Sequence, residues 1–138
     1  MAVINVLIFP AGEINSIELH DALSTCVNVR VWGASSIDRH GGYVFENYVS
    51  GLPMINAPEF FDEFNKLLSD KNIDVIFPTH DTVATFFANN ADKIDARLAC
   101  ADARTSAICR DKGLTYRELS GCDFLPKTYE KIETFPVF

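Results

Sequence analysis

Short runs rich in apolar residues recur along the chain, and each run is closed by a proline or a glycine. The three clearest are residues 5–9, 28–32 and 74–77, which are followed by Pro10, Gly33 and Pro78. The run at residues 5–9 is continuous, which is typical of a strand buried on both faces of a sheet. Because helices must then cover both faces, the pattern predicts an α/β protein with a mainly parallel sheet.

Between these runs, apolar side chains recur at helical spacing. The helical stretches are residues 16–26, 58–69 and 79–90. Ser16 is a suitable N-cap for the first stretch, and Pro58 suits the first turn of the second. Strands that alternate with helices form βαβ units with right-handed crossovers. We therefore expect a Rossmann-like, three-layer α/β sandwich.

The remaining segments carry weaker patterns. We expect a loop over residues 35–48, with a short helix within it as an alternative, a brief edge or inserted strand over 52–55, a further strand over 97–101 and two helices after it. Residues 124–129 resemble a strand that enters a new unit, and the sequence ends in an apolar run at 135–138. The sequence thus predicts one domain over residues 1–122, with 123–138 leading into a second domain that is missing here.

Composition excludes several classes of protein. The formal net charge is −7, and the 12 Lys and Arg residues are scattered, which argues against nucleic-acid binding. No apolar run approaches the ~18 residues that span a bilayer, so no membrane association is expected. The four cysteines lack metal-ligand spacing, and we expect reduced thiols in a cytoplasmic protein; they are Cys26, Cys100, Cys109 and Cys122.

In a parallel sheet, ligands bind at the carboxyl ends of the strands. The loop after the first strand contains Gly12 and Glu13, and the following helix start could receive an anion. A plain turn is the alternative. Only one glycine is present in this loop, so it is not a dinucleotide-binding fingerprint. Residues 32–38 follow the second strand, but the acidic residue expected at its end for NAD binding is displaced to Asp38.

A second polar cluster follows the strand at residues 74–77. Thr79, His80 and Asp81 concentrate polar side chains where the sheet opens, which favours a substrate site. The alternative is that Thr79 or Asp81 caps the next helix and that His80 is only exposed. A P-loop, a catalytic triad and zinc-ligand spacings are absent from the sequence.

Three short motifs add a resemblance to a known family. They are residues 74–78 (DVIFP), Ser106 followed by Asp111 and Lys112, and residues 124–128 (FLPKT). Their order and spacing resemble the start of an ATP-grasp enzyme of the carbamoyl-phosphate-synthase-like branch. The resemblance covers essentially the whole chain and implies a pre-ATP-grasp domain.

In that family, the pre-ATP-grasp domain helps to form the substrate site beside a C-terminal ATP-grasp domain. The resemblance implies that Gly12, Glu13, Thr79, His80 and Asp81 bind substrate, and that Lys112 reaches the nucleotide. It also implies ATP and Mg²⁺ in the intact protein, although neither is expected to bind this chain tightly. The glycine-rich loop, the strand lysine and the metal carboxylates of the family lie beyond residue 138. We therefore expect this chain to be inactive by itself.

Two other hypotheses remain open. One is a stand-alone Rossmann-like module that binds a small molecule or a nucleotide; the other is a small α/β enzyme that uses the Gly12 loop. The expected partners are the missing ATP-grasp domain and a small-molecule substrate. An apolar end such as residues 135–138 also predicts homo-oligomer formation through an unpaired edge strand.

Overall fold

A parallel five-stranded sheet forms the centre of the computed structural model, which describes residues 2–38, 40–126 and 129. The strand order is β3-β2-β1-β4-β5, and every neighbouring pair is parallel. The strands are β1 (Ile4–Phe9), β2 (Val29–Ala34), β3 (Tyr48–Val49), β4 (Val75–Pro78) and β5 (Arg97–Leu98). In this register, Val6 of the central strand lies between Val31 of β2 and Val75 of β4.

Helices cover both faces of the sheet. They are α1 (Ile14–Ser24), α2 (Gly41–Val44), α3 (Phe60–Asp70), α4 (Asp81–Asn89), α5 (Ala103–Arg110) and α6 (Lys112–Glu118), with a short 3₁₀ helix at Ala91–Lys93. The structure confirms the predicted Rossmann-like, three-layer α/β sandwich. In the part of the chain that the structure describes, no helix is long and apolar enough to cross a membrane.

The central strand explains why its sequence is apolar without alternation. Its side chains at positions 7 and 9 join a cluster formed with α3 and α4. Those of Val6 and Ile8 point to the opposite face, where they pack with Leu19 and Leu23 of α1. Because successive side chains of a strand point to opposite faces, burial on both sides requires an apolar residue at every position.

Four phenylalanines form the centre of the larger core cluster. Phe9, Phe60, Phe64 and Phe87 are each at most 1% exposed. The ring centroid of Phe64 lies 5.3 Å from that of Phe9, 5.0 Å from that of Phe60 and 5.2 Å from that of Phe87. Burial of one such ring contributes about 1.5–3 kcal/mol, so this cluster is a large part of what holds α3 and α4 on the sheet.

The predicted edge strand over residues 52–55 is wrong, and the edge strand is β3 instead. Gly51 adopts a positive φ of 80°, which turns the backbone out of the sheet directly after β3. Pro53 has no N–H to donate to a strand ladder. The 52–55 segment therefore leaves the sheet and crosses its carboxyl edge.

The last two helices, α5 and α6, lie at one side of the described structure. α5 packs against α4, and α6 packs against α5. Each begins with an aspartate cap: Asp102 accepts from the Thr105 N–H at 2.9 Å, and Asp111 accepts from the Leu114 N–H at 2.9 Å. The expected strand at 124–129 begins in a turn at Phe124, and positions 127 and 128 lie outside the described residues. The division between residues 122 and 123 stays a prediction.

Candidate functional site

A pocket of about 270 Å³ opens at the carboxyl edge of the sheet. The loops after β1, β2 and β4 and the 52–55 segment all contribute to it. Its lining residues are Phe9, Pro10, Ala11, Glu13, Ser35, Ser36, Ile37, Met54, Ile55, His80, Thr82 and Val83. We refer to it as the switch-point pocket.

The topology explains this location. From β1 the chain moves outward to β2 and β3 on one side, and then crosses back to β4 on the other side of β1. The loops after β1 and β4 therefore lead to helices on opposite faces and leave a crevice between them. In open α/β sheets, this reversal of strand order is where ligands bind.

A buried serine, Ser16, holds the β1–α1 loop but does not cap helix α1. The prediction that Ser16 caps the helix is wrong, because α1 begins at Ile14 and Glu13 occupies the N-cap position. The Ser16 hydroxyl accepts from the Gly12 N–H at 2.8 Å and donates to the Glu13 carbonyl at 2.6 Å. Gly12 has a φ of 127°, a conformation that side chains rarely adopt. Glu13 is exposed and lines the pocket.

The β4–α4 loop is fastened to the β1 loop. The Thr79 hydroxyl donates to the Pro10 carbonyl at 2.7 Å, and the Thr79 N–H donates to the Phe9 carbonyl at 3.0 Å. The expectation that Thr79 or Asp81 caps the helix is wrong, because His80 is the N-cap. Its Nδ1 accepts from the Thr82 N–H at 3.2 Å. The His80 side chain is also part of the pocket wall.

The structure therefore separates the residues predicted to bind substrate into three groups. Glu13 and His80 line the switch-point pocket. Gly12 and Thr79 shape the loops that carry them. Asp81 begins α4 and lines a different cavity, between α4 and α5. Whether any of them contacts a substrate stays a prediction.

Two serines were missed by the sequence reasoning. Ser35 is 3% exposed, and its hydroxyl donates to the Ala11 carbonyl. The Ser36 hydroxyl donates to the Pro53 carbonyl at 2.7 Å. These bonds join the β2 exit to the β1 loop and to the 52–55 segment. The sequence feature that could have identified these two residues is a Ser-Ser pair at the end of a buried strand.

The chemistry of the pocket wall favours an apolar ligand with few polar groups. Most of its surface is apolar, and the lining includes Phe9, Ile37, Met54, Ile55 and Val83. Among the lining residues that the structure describes, none is a lysine or an arginine. Within positions 2–38, 40–126 and 129, no group of three His, Cys, Asp or Glu side chains could hold a metal ion.

Lys112 lies away from this pocket, at the first position of α6. Asp111 caps that helix and Lys112 is exposed. Helix α6 packs on α5, α5 packs on α4, and α4 packs on β4. Two helices therefore lie between α6 and the sheet. A contact between Lys112 and a nucleotide stays a prediction, and it requires a nucleotide held by another domain.

A second cavity, of about 200 Å³, lies between α4 and α5 and includes Cys100 and Cys109 in its wall. Burial raises the pKa of the Cys100 thiol. Since the thiolate is the reactive form, we expect Cys100 to be alkylated by iodoacetamide at pH 8 more slowly than exposed Cys26. Peptide-resolved mass spectrometry measures both rates. Denatured protein is the control, in which the two rates should converge; equal rates in the folded protein would contradict the prediction.

No protein-family model and no curated protein sequence matches this chain. Among solved structures, the fold is similar to that of glycinamide-RNase-transformylase T from Mycobacterium tuberculosis, with a TM-score of 0.61. The sequences are 16% identical, and the match covers 88% of this chain and 36% of that one. The chain thus spans little more than a third of that protein's length. At this level of identity, the likeness shows a shared α/β fold.

Proposed function

We propose that this chain is the N-terminal substrate-binding domain of an ATP-dependent carboxylate–amine ligase of the ATP-grasp type. The observation that carries the proposal is the switch-point pocket, assembled from the ends of β1, β2 and β4. The fold likeness supports it, because glycinamide-RNase-transformylase T shares this α/β fold over 36% of its chain, as expected if the fold is one domain of a longer enzyme. The motifs at 74–78, 106–112 and 124–128 narrow the proposal to the carbamoyl-phosphate-synthase-like branch.

In such a ligase, the γ-phosphoryl group of ATP is transferred to a substrate carboxylate, and ADP leaves. An amine then attacks the carbonyl carbon of the acyl phosphate, and inorganic phosphate leaves. Under this proposal, a separate domain binds ATP and Mg²⁺, while residues 1–122 hold the substrate and 123–138 connect the two domains. Lys112 would lie at the domain border, where its charge would stabilise the transferring phosphoryl group.

The proposal predicts that the reading frame continues past codon 138 into an ATP-grasp domain. The full translation product should release ADP when a carboxylate is present, and it should sustain ADP release over many turnovers only when an amine is present as well. Residues 1–138 alone should release none, as a coupled assay for ADP would show. A stop codon at position 139, or ADP release by the isolated chain, would contradict the proposal.

The pocket can be tested in the same full-length product. Met54 lines the pocket and is 52% exposed, so a larger side chain there should narrow the mouth without disturbing the core. We expect Met54→Trp to raise the KM for one organic substrate by roughly tenfold, as for loss of about 1.4 kcal/mol of binding, with the KM for ATP unchanged. Met54→Leu is the matched control and should behave as wild type. An unchanged substrate KM in Met54→Trp would exclude this pocket as the substrate site.

A second candidate function is that of a stand-alone Rossmann-like binding or regulatory module. The observation that favours it is that all described residues of the pocket wall lie between positions 9 and 83 of this chain. Such a module would bind its ligand fully without another domain. A dissociation constant that is the same for residues 1–138 as for the full translation product, together with an absence of ADP release, would favour it.

A further inference from the structure

We propose that the switch-point pocket recognises a small ligand with an apolar body and a carbonyl-type oxygen, and that His80 donates the hydrogen bond to this oxygen through Nε2. This inference rests on the proposed function for its assignment of the pocket as the substrate site. It adds the chemical class of the ligand and makes His80 a neutral donor instead of a general base.

The wall of the pocket defines the apolar part of the ligand. Phe9 and Val83 come from the core side, and Ile37, Met54 and Ile55 come from the rim. The volume of about 270 Å³ lies just below the usual range of small-molecule sites, which is roughly 300–1,000 Å³. The site therefore suits a compact apolar group better than a nucleotide or a sugar phosphate.

The serine hydroxyls of the pocket are already used as donors. Ser35 donates to the Ala11 carbonyl, and Ser36 donates to the Pro53 carbonyl. A hydroxyl has one hydrogen to donate, so these two side chains can offer a ligand only their lone pairs. A ligand oxygen that needs a side-chain donor must find it elsewhere in the wall, which leaves the Thr82 hydroxyl and the His80 imidazole, and only the imidazole also caps a helix.

His80 can supply that donor because the helix cap determines its tautomer. Nδ1 accepts from the Thr82 N–H at 3.2 Å, so it carries no proton in this arrangement. A neutral imidazole with an unprotonated Nδ1 carries its proton on Nε2. The second nitrogen of this exposed, pocket-lining side chain is therefore an N–H donor. A base at this position would need a vacant lone pair, and the lone pair of Nδ1 is occupied by the cap.

A substitution can separate the two roles of the His80 side chain, which are capping of α4 through Nδ1 and donation through Nε2. Asparagine is a preferred N-cap residue, so His80→Asn should keep an acceptor for the Thr82 N–H. Its shorter side chain removes the distal donor. His80→Ala removes both the cap and the donor. We expect His80→Asn to keep a Tm close to that of the wild type, and His80→Ala to lower it.

The ligand class is tested on the 138-residue chain with four probes, by NMR titration. We expect 3-phenylpropanamide and methyl 3-phenylpropionate to bind, and 3-phenylpropylamine and inorganic phosphate to bind at least fivefold more weakly. His80→Asn should weaken the first two by roughly five- to tenfold, as for loss of one hydrogen bond, and leave the amine unaffected. Long-range ¹H–¹⁵N spectra should show the proton of His80 on Nε2.

Several results would overturn the inference. They are preferential binding of the amine or of phosphate, absence of binding by all four probes, unchanged binding in His80→Asn, and a proton on Nδ1. None of these bears on ADP release by the full translation product or on its sensitivity to Met54→Trp. Failure of the ligand assignment is therefore distinguishable from failure of the proposed function.

Discussion

Replacement of Phe64 by alanine is expected to lower the free energy of unfolding by about 3–5 kcal/mol, the usual cost of removing a buried aromatic ring. Phe64 is 0% exposed, and its ring packs on those of Phe9, Phe60 and Phe87. These rings come from β1, α3 and α4. The cavity that the substitution leaves can therefore close only if the helices move relative to the sheet. A cavity that cannot collapse gives the upper part of the range.

Urea denaturation followed by circular dichroism measures this change. Phe124→Ala is the matched control, because it removes the same atoms from a side chain that is 80% exposed. That control should change the stability by less than about 0.5 kcal/mol. A loss below about 1 kcal/mol for Phe64→Ala would show that the Phe cluster is not the centre of the core.

The second large effect is expected at Gly33 in β2. A Cβ atom placed there would lie 2.6 Å from Cγ and 2.7 Å from Cδ1 of the Phe45 ring, and 3.0 Å from Cβ of Ala11. Phe45 is only 4% exposed and packs in the cluster on the α1 face, so its ring has little room to move. We expect Gly33→Ala to lower the free energy of unfolding by about 1–3 kcal/mol, as overpacking of a core does.

The same substitution should also reach the switch-point pocket, because Ala11 lines it. Urea denaturation gives the change in stability, and NMR titration with 3-phenylpropanamide gives the change in affinity. Gly121→Ala is the control: nothing lies within 4 Å of the added Cβ, and wild-type behaviour is expected. Wild-type stability in Gly33→Ala would mean that Phe45 adopts another rotamer at little cost.

Much of the fold could be predicted from local patterns. The apolar run at residues 5–9 belongs to a central strand, and a strand buried on both faces must be apolar at every position. The Phe-rich stretch at 58–69 belongs to α3, whose inward side chains recur at helical spacing. Helix ends were less well predicted: α1 begins at Ile14 rather than at Ser16, because the hydroxyl of Ser16 turns back to Gly12.

The candidate site depended more on the tertiary structure. The loops that contain Gly12 and Thr79 were predicted from sequence, since both follow strands that end at one edge of the sheet. Ser35 and Ser36 were not predicted as parts of the site, because their partners, Ala11 and Pro53, are distant in sequence. The capping residue was also misassigned, because His80 is not among the usual N-cap residues.

The sequence by itself therefore determined the central strands, the longer helices and the sheet edge that carries the polar loops, because these follow from burial and local periodicity. Only the tertiary structure decided the strand order, the exit of residues 52–55 from the sheet and the walls of the switch-point pocket. The physical reason is the range of the interactions. Periodicity is a property of neighbouring residues, whereas strand order and pocket walls arise from contacts between segments far apart in the chain.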